Sequence, residues 1–180
     1  ISHSDTSEGI IAKLYKLVRE ITLSEKRRVV QRISDLAAGT LLDIGSGTGA
    51  FAAEMAASGW KVTGLEPDAG ARAKANELYN LSLKPAEALY QLPDAAFDVI
   101  TLWHVLEHVY DLDGYFANMQ RVLKPGGAIF IGVPNYTSPD AQHYGTYWAA
   151  YDVPRHLYHF SPHSMAMLAN RHAFTLVSRR

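Results

Sequence analysis

The sequence predicts an α/β protein: a doubly wound, mostly parallel sheet flanked by helices. Three observations predict it. A short apolar run, Leu41 to Ile44, leads straight into the alternating glycines Gly45, Gly47 and Gly49, and then into an alanine-rich helical stretch. Further strand-like runs at 61–65, 97–103 and 128–133 alternate with helical patterns, which is how parallel sheets are built. The 97–103 run is mostly apolar along its length, as a central strand covered on both faces must be.

Composition sets the bounds. A chain of 180 residues suggests one domain with a sizeable core, and 48% apolar residues suffice to fold it. The net charge of -1 supplies no global basic field, so neither nucleic acid nor a membrane is expected as a partner. With no cysteine there is no disulfide framework and no thiolate metal site, which fits a reducing compartment and a cytoplasmic location. No apolar run approaches membrane-spanning length, and no signal peptide is visible. Beginning at Ile1 and stopping at Arg180 inside a strand-like run, the chain reads as a trimmed piece of a longer protein. Its oligomeric state is not legible.

Residues 1–38 read as an N-terminal helical cap. Ile10, Ile11, Leu14, Leu17, Val18 and Ile21 recur at helical spacing, and a second helix from about Ser24 to Leu36 carries Val29, Val30 and Ile33 on one side. Lys26, Arg27, Arg28 and Arg32 read as its wet face. The span 39–135 reads as the binding core. Its first strand is 40–44, and a helix over about 49–58 is ended by Gly59. A second strand, 61–65, ends at Glu66. A helix follows over 69–79, then a weak third strand, Leu81–Lys84. The fourth strand is 97–103. The next helix has Tyr115, Phe116, Met119, Val122 and Leu123 on its buried side and is stopped by Lys124-Pro125-Gly126-Gly127. The fifth strand, 128–133, ends at Pro134-Asn135.

Residues 136–162 break the alternation and concentrate aromatic and histidine side chains, among them Tyr144, Tyr147, Trp148, Tyr151, His156 and His159. A long irregular stretch after a strand's carboxyl end reads as the acceptor-side wall or lid of a site, or else as packing over the sheet edge. The span 163–180 is expected to hold a last helix, capped by Ser161 or Ser164, and a sixth strand from Phe174 to Ser178.

The chemistry centres on the glycine bend. Glycines reach dihedrals that other residues avoid and let a ligand approach the backbone, while the following helix points free N–H groups at it. Gly45-x-Gly47-x-x-Ala50 also satisfies the dinucleotide fingerprint, so an NAD(P)-binding oxidoreductase stays open here. Asp43 argues the other way: a carboxylate there is awkward beside a pyrophosphate and suits a cationic ammonium or sulfonium. Glu66 lies about 20 residues past Gly47, the spacing of a ribose-binding acid.

Residues 42–49, Leu-Asp-Ile-Gly-Ser-Gly-Thr-Gly, resemble motif I of the class I S-adenosylmethionine-dependent methyltransferases. The stretch 97–135, with its Leu-Lys-Pro-Gly-Gly turn, resembles the second half of the same core. The resemblance implies a Rossmann-like sheet of strand order 3-2-1-4-5-(7)-6. No residues remain for the seventh strand, so the sheet is expected to be truncated, with the sixth strand poorly paired or the sheet completed by sequence beyond this piece. It further implies S-adenosyl-L-methionine as cofactor and methyl transfer to oxygen, nitrogen or carbon of a small-molecule acceptor. A non-catalytic module that binds the same cofactor is the remaining alternative.

The cofactor contacts so implied are Asp43, Gly45, Ser46, Gly47, Thr48, Gly49 and Phe51 around the bend, and Glu66 and Pro67 at the ribose. Leu102 and Trp103 come at the end of the central strand. An acidic residue often contacts adenine after the third strand of that family. Here Pro85 takes its place, leaving Ala86 and Glu87 as candidates.

Methyl transfer from a sulfonium needs alignment and exclusion of water, so no triad is required, and no Gly-x-Ser-x-Gly elbow occurs. His104 and His156 are the catalytic candidates, His104 as a pocket residue suited to general-base work. His104-x-x-Glu107-His108 resembles the Glu-x-x-Glu-His segment of quinone-biosynthesis O-methyltransferases, where that cluster is linked to a metal. With His104 in the place of the first Glu, no metal is assigned. Arg155 reads as a clamp for an acidic acceptor or as an ion pair with Asp152. His3 and Ser4 are weak pocket candidates, and His172 reads as structural.

Overall fold

Four parallel strands form the sheet of this computed structural model, which describes residues 4–177, with side chains from Leu14 onward. They are β1 (Thr40–Ile44), β2 (Lys61–Leu65), β3 (Phe97–Trp103) and β4 (Leu123–Gly132), in the order β2-β1-β3-β4. This is the α/β architecture expected, reduced to the inner strands of the expected order. Leu41 pairs with Val62 on one side and Val99 on the other, so β1 is central. Alternate side chains then go to opposite faces. Leu41 and Val99 join Val30, Phe51, Met55, Trp60 and Phe130 in one core, whereas Leu42, Ile44, Ile100 and Leu102 join Phe116, Met119 and Val122 in the other.

The helices are α1 (Ser4–Ser34), α2 (Ala50–Ala57), α3 (Ala69–Tyr79), α4 (Leu112–Val122), α5 (Pro139–Tyr144) and α6 (Pro162–Arg171). Their ends follow local rules. Asp68 and Asp111 accept hydrogen bonds from Ala71 N and Gly114 N, and Ser161 and Ser164 form a reciprocal capping box. Gly59, at φ 93°, follows the end of α2.

Four expectations are corrected. The two N-terminal helices are one, because the hydroxyls of Thr22 and Ser24 donate back to the carbonyls of Val18 and Ile21 (2.9 Å each) instead of capping a new start. The third strand shrinks to a single bridge between Lys84 and Leu65, since Pro85 has no N–H with which to continue a ladder. Lys124–Gly127 does not end before the fifth strand but lies within β4 as a bulge: Phe97 pairs with Leu123 and Val99 with Ala128. Residues 174–177 form no strand, and Ser178 falls outside the described residues. Phe174 instead packs on Phe116, with ring centroids 6.0 Å apart.

Asp98 pins the amino-terminal end of the sheet. Its carboxylate accepts from Lys124 Nζ (2.8 Å), Thr40 N (2.8 Å) and Thr40 Oγ1 (2.7 Å), and these partners, Lys124 foremost, hold its pKa down to about 2. The opposite, carboxyl-terminal end is left to the loops that carry the candidate site.

Candidate active site

The bend after β1 is built by close approach. Gly45 sits at φ 73°, and a Cβ there would stand 2.3 Å from Val105 Cγ2. Gly47, at φ 54°, faces open space, with nothing within 4 Å of where its Cβ would be. So the first glycine serves packing against the loop after β3, and the second leaves room for a ligand.

The amides of this bend are already engaged. Gly45 N and Ser46 N both donate to Leu65 O (2.8 and 2.9 Å), and Gly47 N donates to Glu66 Oε2 (2.8 Å). The other Glu66 oxygen accepts from Asp68 N (3.0 Å), so backbone donors orient the carboxylate and leave each oxygen capacity for a further donor such as a ribose hydroxyl. A pyrophosphate would find no free N–H at residues 45–47 and would face a carboxylate. That is the opposite of an anion-binding nest.

Beneath the bend, Asp43 is buried and accepts from Thr101 Oγ1 (2.7 Å), while Ser46 Oγ donates to the Asp43 carbonyl (2.9 Å). Burial pushes the Asp43 carboxyl up to about 6, against the opposing pull of Thr101, Ser46 and Lys26.

Lys26, not among the candidates read from the sequence, stands near Asp43 and Trp103. It does not lie on a wet face with its neighbours: its ammonium stands 4.5 Å from the Trp103 ring centroid and feels the Asp43 charge, while burial lowers its pKa. Arg27 is also engaged, with Nε 2.8 Å from Glu54 Oε1. Arg28 and Arg32 are exposed, as expected. A signal for Lys26 existed in its helical spacing from Val29, Val30 and Ile33, which face the sheet.

The remaining cofactor candidates divide by exposure. Thr48 and Ala86 are half-buried, and Pro67 and Glu87 are exposed. Phe51 packs edge-on against Trp103 at 5.6 Å, and the Leu102 side chain lies fully in the core.

The 136–160 segment docks on the loop after β3. Leu157 N donates to Glu107 O (2.7 Å), Tyr158 Oη donates to Tyr110 O (3.2 Å), and Asn135 forms a bridge with Phe160. His104 holds a left-handed φ of 60°, unusual for a non-glycine, with its side chain 67% exposed. His156 is only 10% exposed and meets His108 edge-on, centroids 4.7 Å apart. Both candidate histidines converge on Glu107: His104 Nδ1 is 3.4 Å from Glu107 Oε1, and Glu107, His108 and His156 each bring a potential ligand atom within 4.8 Å of the others. Arg155 pairs with Asp152 (2.8 Å), the second of the two roles foreseen. His172 contacts Asp113 (2.8 Å) and stacks on Phe116, a structural role. His3 lies outside the described residues, as does the Ser4 side chain.

Over residues 18–179 the sequence matches the family described as "Methyltransferase domain". The chain belongs to that family. Its class is the S-adenosylmethionine-dependent, class I one, and S-adenosylmethionine is the cofactor that goes with it. The dinucleotide-binding alternative falls with this match and with the engaged amides of the bend.

Among curated relatives, a demethylmenaquinone methyltransferase of Tropheryma whipplei (strain Twist) is 31% identical over 110 residues, covering 58% of this chain and 46% of that protein. A ubiquinone biosynthesis O-methyltransferase of Caulobacter vibrioides is 34% identical over 105 residues, covering 54% and 42%. This methyltransferase-domain chain thus spans about half the length of the curated relatives it matches. A solved SAM-dependent methyltransferase from Archaeoglobus fulgidus superposes with a TM-score of 0.69 at 23% identity, covering 87% of this chain and 69% of that one, a likeness of fold. Among the described residues, no helix is long and apolar enough to cross a membrane.

Proposed function

We propose that this chain transfers the methyl group of S-adenosylmethionine to a small-molecule acceptor. The observation that carries the reading is the pairing of a buried acid, Asp43, under the open Gly47 with a backbone-oriented Glu66 beside it. When bound, the cofactor supplies an activated methyl group on a cationic sulfur.

In this reading Asp43 faces the cofactor's ammonium and Glu66 accepts the ribose hydroxyls. The bend Gly45-Ser46-Gly47-Thr48-Gly49 forms the floor. Pro67, Ala86 and Glu87 border the adenine side, and Leu102 and Trp103 close the sulfur side. Lys26, over Trp103, takes the cofactor's carboxylate by charge. His104, strained just past the end of β3 and exposed, is the group best placed to take a proton from an acceptor. His156 anchors the acceptor-side segment, 136–162, behind it. The cap 1–38, the core 39–135 and the last segment 163–180 complete the division. The quinone-pathway names of the curated relatives support a small, hydroxylated or ring-carbon acceptor.

Calorimetric titration with S-adenosylhomocysteine and with NAD tests the cofactor half: uptake of the first and not the second is expected, and no uptake of the first refutes it. A methyl-transfer screen over phenolic and quinol acceptors tests the rest, with loss of turnover expected in His104→Ala.

A further inference from the structure

We propose that Glu107, His108 and His156 bind one divalent metal ion of the zinc class, which clips the acceptor-side segment to the loop after β3. The first observation is an orphan. The Glu107 side chain is 1% exposed, and neither carboxylate oxygen has a hydrogen-bond partner. His104 Nδ1, at 3.4 Å, does not form one. A buried carboxylate left in this way is strongly disfavoured unless a cation completes it.

The second observation is the state of the two imidazoles around it. His108 Nδ1 lies 3.0 Å from Arg155 O, and His156 Nδ1 lies 2.8 Å from Ala150 O. A backbone carbonyl only accepts, so each Nδ1 donates to it, and Nε2 is the nitrogen left to offer a lone pair to a metal. Metal-binding histidines are oriented and fixed in tautomer by this kind of outer contact. One ligand atom from each of the three residues already lies within 4.8 Å of the other two. Closing onto a common ion at ~2.0–2.2 Å per bond needs only small side-chain movements. Asp152 Oδ2, 3.8 Å from His156 Nε2, stands at the edge of the cluster as a further oxygen donor.

The donor set decides the class of ion. Two imidazoles and one carboxylate suit zinc and its transition-metal neighbours, whereas magnesium prefers oxygen alone. The set also differs from His104-Glu107-His108, the trio adjacent in sequence. His156 enters from the docked segment, while His104, 67% exposed, only approaches Glu107 at 3.4 Å and stands outside the group of three. The ion therefore joins two stretches otherwise held by a few hydrogen bonds, Leu157 N to Glu107 O among them. This site stands independently of the cofactor reading.

The test uses the full chain, stripped with a chelator and then titrated with Co²⁺ as a spectroscopic stand-in and with Zn²⁺. One equivalent of Co²⁺ is expected to give visible ligand-field bands that Zn²⁺ displaces. Zn²⁺ should raise Tm and, at ten times its Kd, slow tryptic cleavage after Arg155 by about tenfold. Glu107→Gln and His156→Gln should each lose the bands, and His104→Ala should keep them. If Glu107→Gln does not fold, the histidine variant carries the test alone. Absent bands, bands unchanged in His156→Gln, or stabilisation by Mg²⁺ alone would overturn the proposal. Titrating the metal-free protein with S-adenosylhomocysteine reports on the cofactor reading separately.

Discussion

At the carboxyl ends of β1 and β2, Asp43 and Glu66 are acids that the protein itself has organised: a hydroxyl bonds the first and two backbone amides hold the second. At the end of β3, Glu107 is more deeply buried and has no such partner, and His104 beside it holds a strained backbone. Both regions belong to the same sheet end. The difference teaches that the first half holds its acids with hydrogen bonds made by the chain itself, whereas the second buries a carboxyl that has none. Preorganised donors cost no rearrangement on binding, while an orphaned charge marks a place where stability is given up for function.

The sharpest way to break the contrast is at the bend. Gly45→Ala places a methyl group against Val105 at a positive φ and should destabilise the fold by about 3 kcal/mol or more, with loss of S-adenosylhomocysteine binding. Gly47→Ala meets open space, so urea unfolding should give a loss of only about 1–2 kcal/mol, the conformational cost, while cofactor affinity still falls. Equal destabilisation by the two would mean that the bend is not organised as described.

Acid titration distinguishes the organised carboxylate from an ordinary one. The Asp43 carboxyl is raised to about 6 in the folded chain. Between about pH 4 and that value, the folded chain holds a proton that the unfolded chain has released. This group's contribution to stability is therefore complete below about pH 4 and is lost as pH rises through about 6, by about 3 kcal/mol in all. Binding runs the other way, because only ionised Asp43 attracts an ammonium. Denaturant curves and calorimetry across this range should show the opposed slopes, and Asp43→Asn should flatten both.

Glu66→Gln keeps the shape but removes the charge that Gly47 N and Asp68 N orient. Its NH2 cannot accept from either backbone N–H, so one of the two bonds is lost: cofactor affinity should drop by about 10–100-fold and urea unfolding should show a loss of about 1–3 kcal/mol. Lys26→Met retains the contact with Trp103 and loses the ammonium, so a fall of about fivefold in affinity is expected, rescued by Lys26→Arg. Arg155→Ala breaks an ion pair whose arginine side chain is 78% exposed. Thermal unfolding should move by no more than about 0.5 kcal/mol, because a pair this exposed is screened by water.

Much of the first region was legible in the sequence because it is local. Residues 40–66 are a strand, a bend, a helix and a strand in immediate succession, and spacing alone aligns Glu66 with Gly47. The Ser161–Ser164 cap and the buried face of α4 were legible for the same reason. Where local signals competed, the reading slipped. Ser24 read as the start of a second helix, yet its hydroxyl bonds backward within one long helix. Leu81–Lys84 had strand character that Pro85 cut to a single bridge.

By itself, then, the sequence determined the parallel α/β sheet, the glycine bend and the two acids that flank it, because periodicity and turn chemistry act over a few residues. Only the tertiary structure decided that Lys26 lies over Trp103, that β4 begins ahead of its glycines, and that His156 meets Glu107 and His108. Those placements depend on how distant segments dock. Docking is set by the summed packing of whole faces, and no spacing along the chain encodes it.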